Sequence, residues 1–160
     1  MEHYENVFEA VGHAVLDFGP LELTAHAVAR LGIDPLDDSV GRSETAHLRF
    51  NWIINKIEAL ARQGAYEQHV SGINARITEF VNGAREVADR RNELAHSYSD
   101  ANRTGNLRTA IESGLPLLAS THELDLPGVE LLVDRYYKLR DIGSEICIAV
   151  RSSAGTSREP

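Results

Sequence analysis

YEQHVSGINARITEFVNGAREVADRRNELAHSY, residues 66–98, decides how this chain is read. Apolar side chains recur in it at alternating steps of four and three: Tyr66, Val70, Ile73, Ile77, Phe80, Ala84, Val87 and, beyond Arg91, Leu94 and Tyr98. Such spacing gathers the apolar groups along one side of an α-helix and predicts a long amphipathic helix packed against others. Arg91 occupies the step where a core residue is due. A charge on a packed stripe is costly unless it is paired or lines a cavity. Either the stripe runs out at Arg91, or the arginine serves a site.

Three further stripes surround this one. The first is Tyr4, Phe8, Val11, Val15 and Phe18; Gly19-Pro20 must kink or interrupt that helix, which resumes through LELTAHAVARL to a stop near Gly32. GIDPLDDSVGRS, residues 32–43, reads as a loop. The second stripe is Ala46, Phe50, Ile53, Ile57 and Leu60, with Ser43 placed to cap its helix and Gly64 to end it. After Tyr98 comes the turn-rich SDANRTGN, then LRTAIESGLPLLAST, which fits a short hairpin about Ser113-Gly114, a loop, or a helical turn. The last stripe, Leu132, Tyr136, Leu139, Gly143, Ile146 and Val150, belongs to a helix opening at Asp125 or Pro127. The expected architecture is mainly α, an up-down four-helix-type bundle with a short hairpin between the third and fourth long helices. Residues 1–150 would form one helical domain and residues 151–160, RSSAGTSREP, a disordered tail.

Composition narrows the partners. The net charge of −8 argues against a nonspecific duplex-DNA binder. Residues 85–108 carry five arginines against Glu86, Asp89, Glu93 and Asp100, a net of +1, so the rest of the chain carries −9. The single Cys147, in the apolar run EICIAV, excludes an intrachain disulfide and suits a reducing cytosol as a buried, inert thiol. No apolar run approaches the roughly 18–20 residues of a membrane span, and the start MEHYENVFE is not a signal peptide, so a soluble cytoplasmic protein is expected.

The same helix carries the chemistry. With 14 Arg, 8 Asn and 7 His in 160 residues, Arg91-Asn92-x-x-x-His96 would arise by chance about 0.03 times, and with Tyr98 two residues on about 0.001 times. The motif resembles that of the HEPN domain superfamily, an all-helical group rich in ribonucleases, toxins and phage-defence effectors. Its extension to Tyr98 resembles the Arg-x4-His-x-Tyr signature of the HepT-type toxins. The start VGHAVLDFGPLE is more similar to other HEPN proteins of defence loci. The likeness in helix order covers most of residues 4–150, whereas the motif covers eight residues. It implies a HEPN bundle that pairs with a second copy, so that two motifs line one groove. It also implies an endoribonuclease without cofactor or metal, working as a toxin or antiviral effector, with an antitoxin or nucleotidyltransferase partner. In the HepT-like branch that partner modifies a tyrosine placed as Tyr98 is.

Elementary chemistry supports such a site. RNA carries its own nucleophile, the 2′-hydroxyl, so cleavage needs a proton acceptor, a proton donor and positive charge on the phosphoryl oxygens. His96 titrates in the useful range, and a nearby helix C-terminus would favour its cationic form. Arg91 offers phosphate a planar, permanently charged fork. Asn92, one turn before His96, can orient the imidazole or hydrogen-bond RNA. Five residues place Arg91 and His96 about 140° apart around an ideal helix. They converge only if the helix unwinds, the arginine reaches around, or the groove lies between two subunits. Glu22 falls on the first helix's stripe if that helix continues through its kink, where it would pair with Arg91 or Arg90. If Pro20 rephases the helix, Glu22 turns to solvent instead.

Other constellations are weaker. Glu44-x-x-His47 has the spacing of a di-iron ligand pair but lacks the second copy such a site needs. His13, His26, His69 and His122 have no metal-ligand spacing, and Asp34, Asp37 and Asp38 read as turn formers rather than cation ligands. Two further function classes stay open: a catalytically silent HEPN module binding RNA, nucleotide or a protein, and a helical dimerisation scaffold in which Arg91 is a structural ion-pair residue.

Overall fold

A computed structural model of the chain describes residues 7–104, 117–119, 122–124 and 126–156, with side chains over 9–95 and 128–156. The described residues are mainly helical: α1 (Val7–Leu16), α2 (Phe18–Ile33), α3 (Asp38–Thr45), α4 (Phe50–Arg62), α5 (Ile73–Thr104) and α6 (Leu126–Thr156). Between α5 and α6, β1 (Leu117–Ala119) and β2 (His122–Leu124) pair antiparallel with Leu117 opposite Leu124 and Ala119 opposite His122. The Ser113-Gly114 turn expected from sequence lies outside the described residues. The fold divides into two compact units, one of Met1–Gly19 with Glu86–Tyr136 and one of Pro20–Arg85 with Tyr137–Pro160.

In the second unit the stripes read from sequence meet as a core. Leu21, Ala25 and Val28 of α2, Ile53, Ile54 and Ile57 of α4, Ile77 and Phe80 of α5 and Ile146 and Val150 of α6 are all buried. Gly143 holds its place on the stripe because α6 approaches α2 and α5 too closely for a side chain. A Cβ there would meet Thr24 Cγ2 and lie 2.9 Å from Phe80 Cε2. The first unit buries Ala10, Val11 and Ala14 of α1, Phe18, then Val87, Ala88 and Leu94 of α5, and Val129, Leu132, Val133 and Tyr136 of α6. Arg135 of α6 reaches Glu86 of α5 at 2.6 Å.

Local structure departs from the sequence reading at several places. The break in the first helix falls at Asp17, and Gly19-Pro20 sits inside the first turn of α2. There a missing N–H removes no intrahelical bond, because the first four amides of a helix have no partner. Residues 38–45, expected as loop, form α3: Asp37 caps it by accepting from Ser39 N at 2.9 Å, and Asp38 pairs with Arg42 one turn on. Asp34 accepts from the amides of Leu36 and Asp37, so the aspartates form turns and a cap.

The helix expected from Ala46 starts instead at Phe50, and Ser43 lies within α3 rather than capping α4. Gly64, at φ 77, ends α4 as expected. Tyr66 and Val70 are not on α5 but in the turns before it. Tyr66 is fully buried there and its hydroxyl donates to Val28 O at 3.1 Å, while Glu67 accepts from Gly72 N and Asn74 N at the start of α5. Finally, two helices outrun their expected ends. SDANRT is the last stretch of α5, and α6 runs through Thr156 rather than fraying at 151. Ala154 is 3 % exposed and Ser153 donates to His69 O, which gives that last turn packing a frayed end would lack.

Candidate functional site

The motif segment lies in α5 within the first unit. Arg91 is half-buried, and its guanidinium carbon lies 5.5 Å from the centroid of the Phe18 ring, within cation–π range. Its Nη1 donates to Asn92 Oδ1 at 3.2 Å. Its Nε is buried without a hydrogen-bond partner among the described residues. Among the described residues no carboxylate lies within ion-pair distance of this guanidinium. Arg90 behaves differently: half exposed, it turns to Glu86 at 3.7 Å, the same carboxylate that Arg135 engages.

Phe18 links this arginine to α6. The Tyr136 ring stands edge-on to it, with centroids 5.4 Å apart and planes at 77°. Tyr136 is 1 % exposed and its hydroxyl too is buried without a partner among the described residues. A buried, unmade hydrogen bond costs on the order of 1–3 kcal/mol, so two on neighbouring groups require a reason. Burial pushes the Tyr136 phenol well above the usual tyrosine range; the Arg91 cation opposes that and the Asp17 carboxylate adds to it. The phenol is therefore neutral and able to donate. Asp17 itself lies 4.0 Å from His13 Nδ1.

His96 and Tyr98 belong to α5, but their side chains are outside those described. The backbone is informative, because α5 stays helical to Thr104. The motif does not unwind, so positions 91 and 96 lie about 140° apart around the helix axis, and positions 91 and 98 about 20° apart. The C-terminus lies two turns beyond His96. Asn92 is exposed and its carbonyl oxygen is engaged by Arg91, which leaves its amide N–H groups for another acceptor.

Glu22, half-buried on α2, belongs to the second unit, so its pairing with Arg91 or Arg90 stands as an expectation. Within its own unit it acts on His26, one turn on. Burial, then the Arg30 charge, lower the His26 pKa, and the Glu22 carboxylate opposes them. The Glu44/His47 pair is also resolved into simpler roles: Glu44 meets Lys56 Nζ at 3.1 Å and His47 is exposed. Cys147 is half-buried rather than fully buried, and burial pushes its thiol up to about 11, which keeps it protonated and unreactive.

The sequence alone does not single out Phe18, Tyr136 or Asp17 as site residues. Phe18 and Tyr136 are visible in it only as core positions, and no motif connects them with Arg91. Among the described residues, no group of three or more His, Cys, Asp and Glu is placed to hold a metal ion, and no helix is long and apolar enough to cross a membrane. Comparison of the chain with models of known protein families, with curated proteins and with solved structures finds no match.

Proposed function

We propose that this protein is a HEPN-type endoribonuclease, acting as a homodimeric toxin or phage-defence effector on RNA. One observation carries the reading: Arg91 sits on an otherwise apolar stripe, oriented by Phe18 and Asn92, with no described carboxylate to neutralise it. A structural ion-pair arginine would have such a partner, as Arg85 has in Glu58 at 2.6 Å. An arginine held ready for phosphate would not. In this mechanism the 2′-hydroxyl attacks the adjacent phosphorus and gives its proton to a base, while the 5′-oxygen leaves with a proton from an acid. His96 of one subunit would act as the acid/base of each site, taking the proton from the 2′-hydroxyl and returning it to the leaving oxygen, and Arg91 of the other would stabilise the charge on the phosphoryl oxygens. The products are a 2′,3′-cyclic phosphate and a 5′-hydroxyl. An antitoxin or nucleotidyltransferase partner acting on Tyr98 belongs to the same proposal.

The chemistry requires no metal, because the nucleophile is already in the substrate. The purified protein is expected to cleave RNA in excess EDTA and to leave only cyclic-phosphate and 5′-hydroxyl ends. Loss of cleavage in EDTA, or 5′-phosphate ends, would refute the mechanism. The acidic net charge of −8 favours a second reading, a silent HEPN module that binds without cutting. The same assay, with no cleavage but retained RNA binding, selects it.

Glu22 provides a further test. If its carboxylate fixes Arg91 for phosphate, Glu22→Gln keeps the shape and loses the charge, and cleavage falls about 10-fold with the melting temperature held. Unchanged kcat and KM would remove Glu22 from the site.

A further inference from the structure

Among the described residues of the first unit, Arg91 Nε and Tyr136 Oη are buried without a hydrogen-bond partner, and the two side chains share Phe18 as a neighbour. Arg91 Cζ lies 5.5 Å from the Phe18 centroid and the Tyr136 centroid 5.4 Å from it. The guanidinium is near enough to Tyr136 for its charge to act on the phenol. Asp17 also acts on that phenol, yet it takes no hydrogen bond from Oη. Phenylalanine at 136 would pack as well and leave nothing unsatisfied, so the hydroxyl has no packing reason to be there.

Both groups carry a hydrogen to give. The Arg91 Nε–H has no acceptor capacity, and the phenol, which can donate or accept, is free to give its O–H to the same acceptor. What would satisfy the two together is an acceptor oxygen, preferably an anionic one, since the guanidinium is permanently charged. Arg91 is half-buried as a whole, so part of its side chain is open to solvent, while its Nε and the Tyr136 hydroxyl are covered and an entering group must displace what covers them.

We infer that Arg91 and Tyr136 form one oxyanion-binding site beside the Phe18 ring, in which the Tyr136 hydroxyl is a second donor to the substrate phosphate. This deepens the ribonuclease reading, on which it rests for the identity of the phosphate. It adds a substrate-binding residue from α6 to a motif confined to α5.

The test uses the 2′-O-methyl dinucleotide UpU, which keeps the phosphodiester and lacks the attacking hydroxyl. Calorimetric titration of the full chain is expected to show binding, weakened about 10- to 100-fold by Tyr136→Phe and at least as much by Arg91→Ala. Tyr136→Phe should also lower kcat/KM on RNA by a similar factor, with its melting temperature equal to or above that of the wild type. Equal affinity in Tyr136→Phe and wild type overturns the inference and leaves the ribonuclease reading standing. Weakened binding in Tyr136→Phe, with no cleavage of RNA by the wild type, keeps the oxyanion site and sinks the ribonuclease. A Tyr136→Phe protein that melts well below the wild type marks the hydroxyl as structural and overturns the inference, as does wild-type protein that binds no dinucleotide.

Discussion

Replacing His96 by alanine is expected to lower RNA cleavage by about 10²–10⁴-fold, the usual contribution of a positioned acid or base. Arg91→Ala should cost about 10²–10³-fold, as removal of one charge-stabilising donor does. Neither change should unfold the protein. For Arg91 the structure gives the reason: the substitution removes the contact with Phe18, but it also removes a buried N–H that has no partner. These effects oppose one another, so the melting temperature should move by only a few degrees, roughly the 2–4 °C that accompanies 1 kcal/mol in a domain of this size. Arg91→Lys is the sharper variant. It keeps the charge and loses the planar fork, so it should stay impaired if phosphate is held by two parallel N–H groups. Growth toxicity should disappear with cleavage in every case. A His96→Ala preparation, free of contaminating nuclease, that cleaves like the wild type would end the assignment.

Mixing the two inactive proteins should bring activity back. With α5 helical through the motif to Thr104, positions 91 and 96 of one chain lie about 140° apart around the helix axis, too far round to share one phosphate without help. The proposed two-fold interface would solve this by offering the arginine of one subunit to the histidine of the other. In a heterodimer of Arg91→Ala with His96→Ala, one composite site is then doubly damaged and the other is intact. Random re-pairing of equal amounts makes half the dimers mixed, with one good site in two, so activity should recover to about a quarter of the wild type. Light scattering should report about twice 17.6 kDa for the wild type. If the mixture stays dead after verified subunit exchange, both residues act within one chain and the shared groove is wrong. A monomer at micromolar concentration would be equally decisive.

Much of this molecule is legible in its amino-acid order. The alternating four-and-three spacing of Ile73, Ile77, Phe80, Ala84 and Val87 is a helical stripe, and all five side chains are buried on α5. The same holds for Phe50, Ile53, Ile57 and Leu60 on α4, and for Leu132, Tyr136, Leu139, Ile146 and Val150 on α6. Periodicity survives in a sequence because it reflects the geometry of one helix. The anomaly of Arg91 is visible for the same reason, as a charge where the period requires an apolar group.

What the sequence could not determine are the matters set by a second segment. Tyr66 continues the stripe of α5 by spacing alone, yet it lies in a turn, because its hydroxyl finds Val28 O and its ring a place in the core. Aspartates that read as loop form the start of α3, since a cap bond and an ion pair one turn on outweigh weak propensity. The tail holds its helix because Ser153 and Ala154 have something to pack on. At the candidate site, Arg91, Asn92 and His96 can be read from the motif, but Phe18 and Tyr136 cannot. Their sequence role is that of any core aromatic, and only the packing of α2 and α6 against α5 within the first unit brings their rings to the arginine. A residue's period is a property of its own helix; what its side chain meets depends on the helix packed opposite, and that the tertiary structure alone decides.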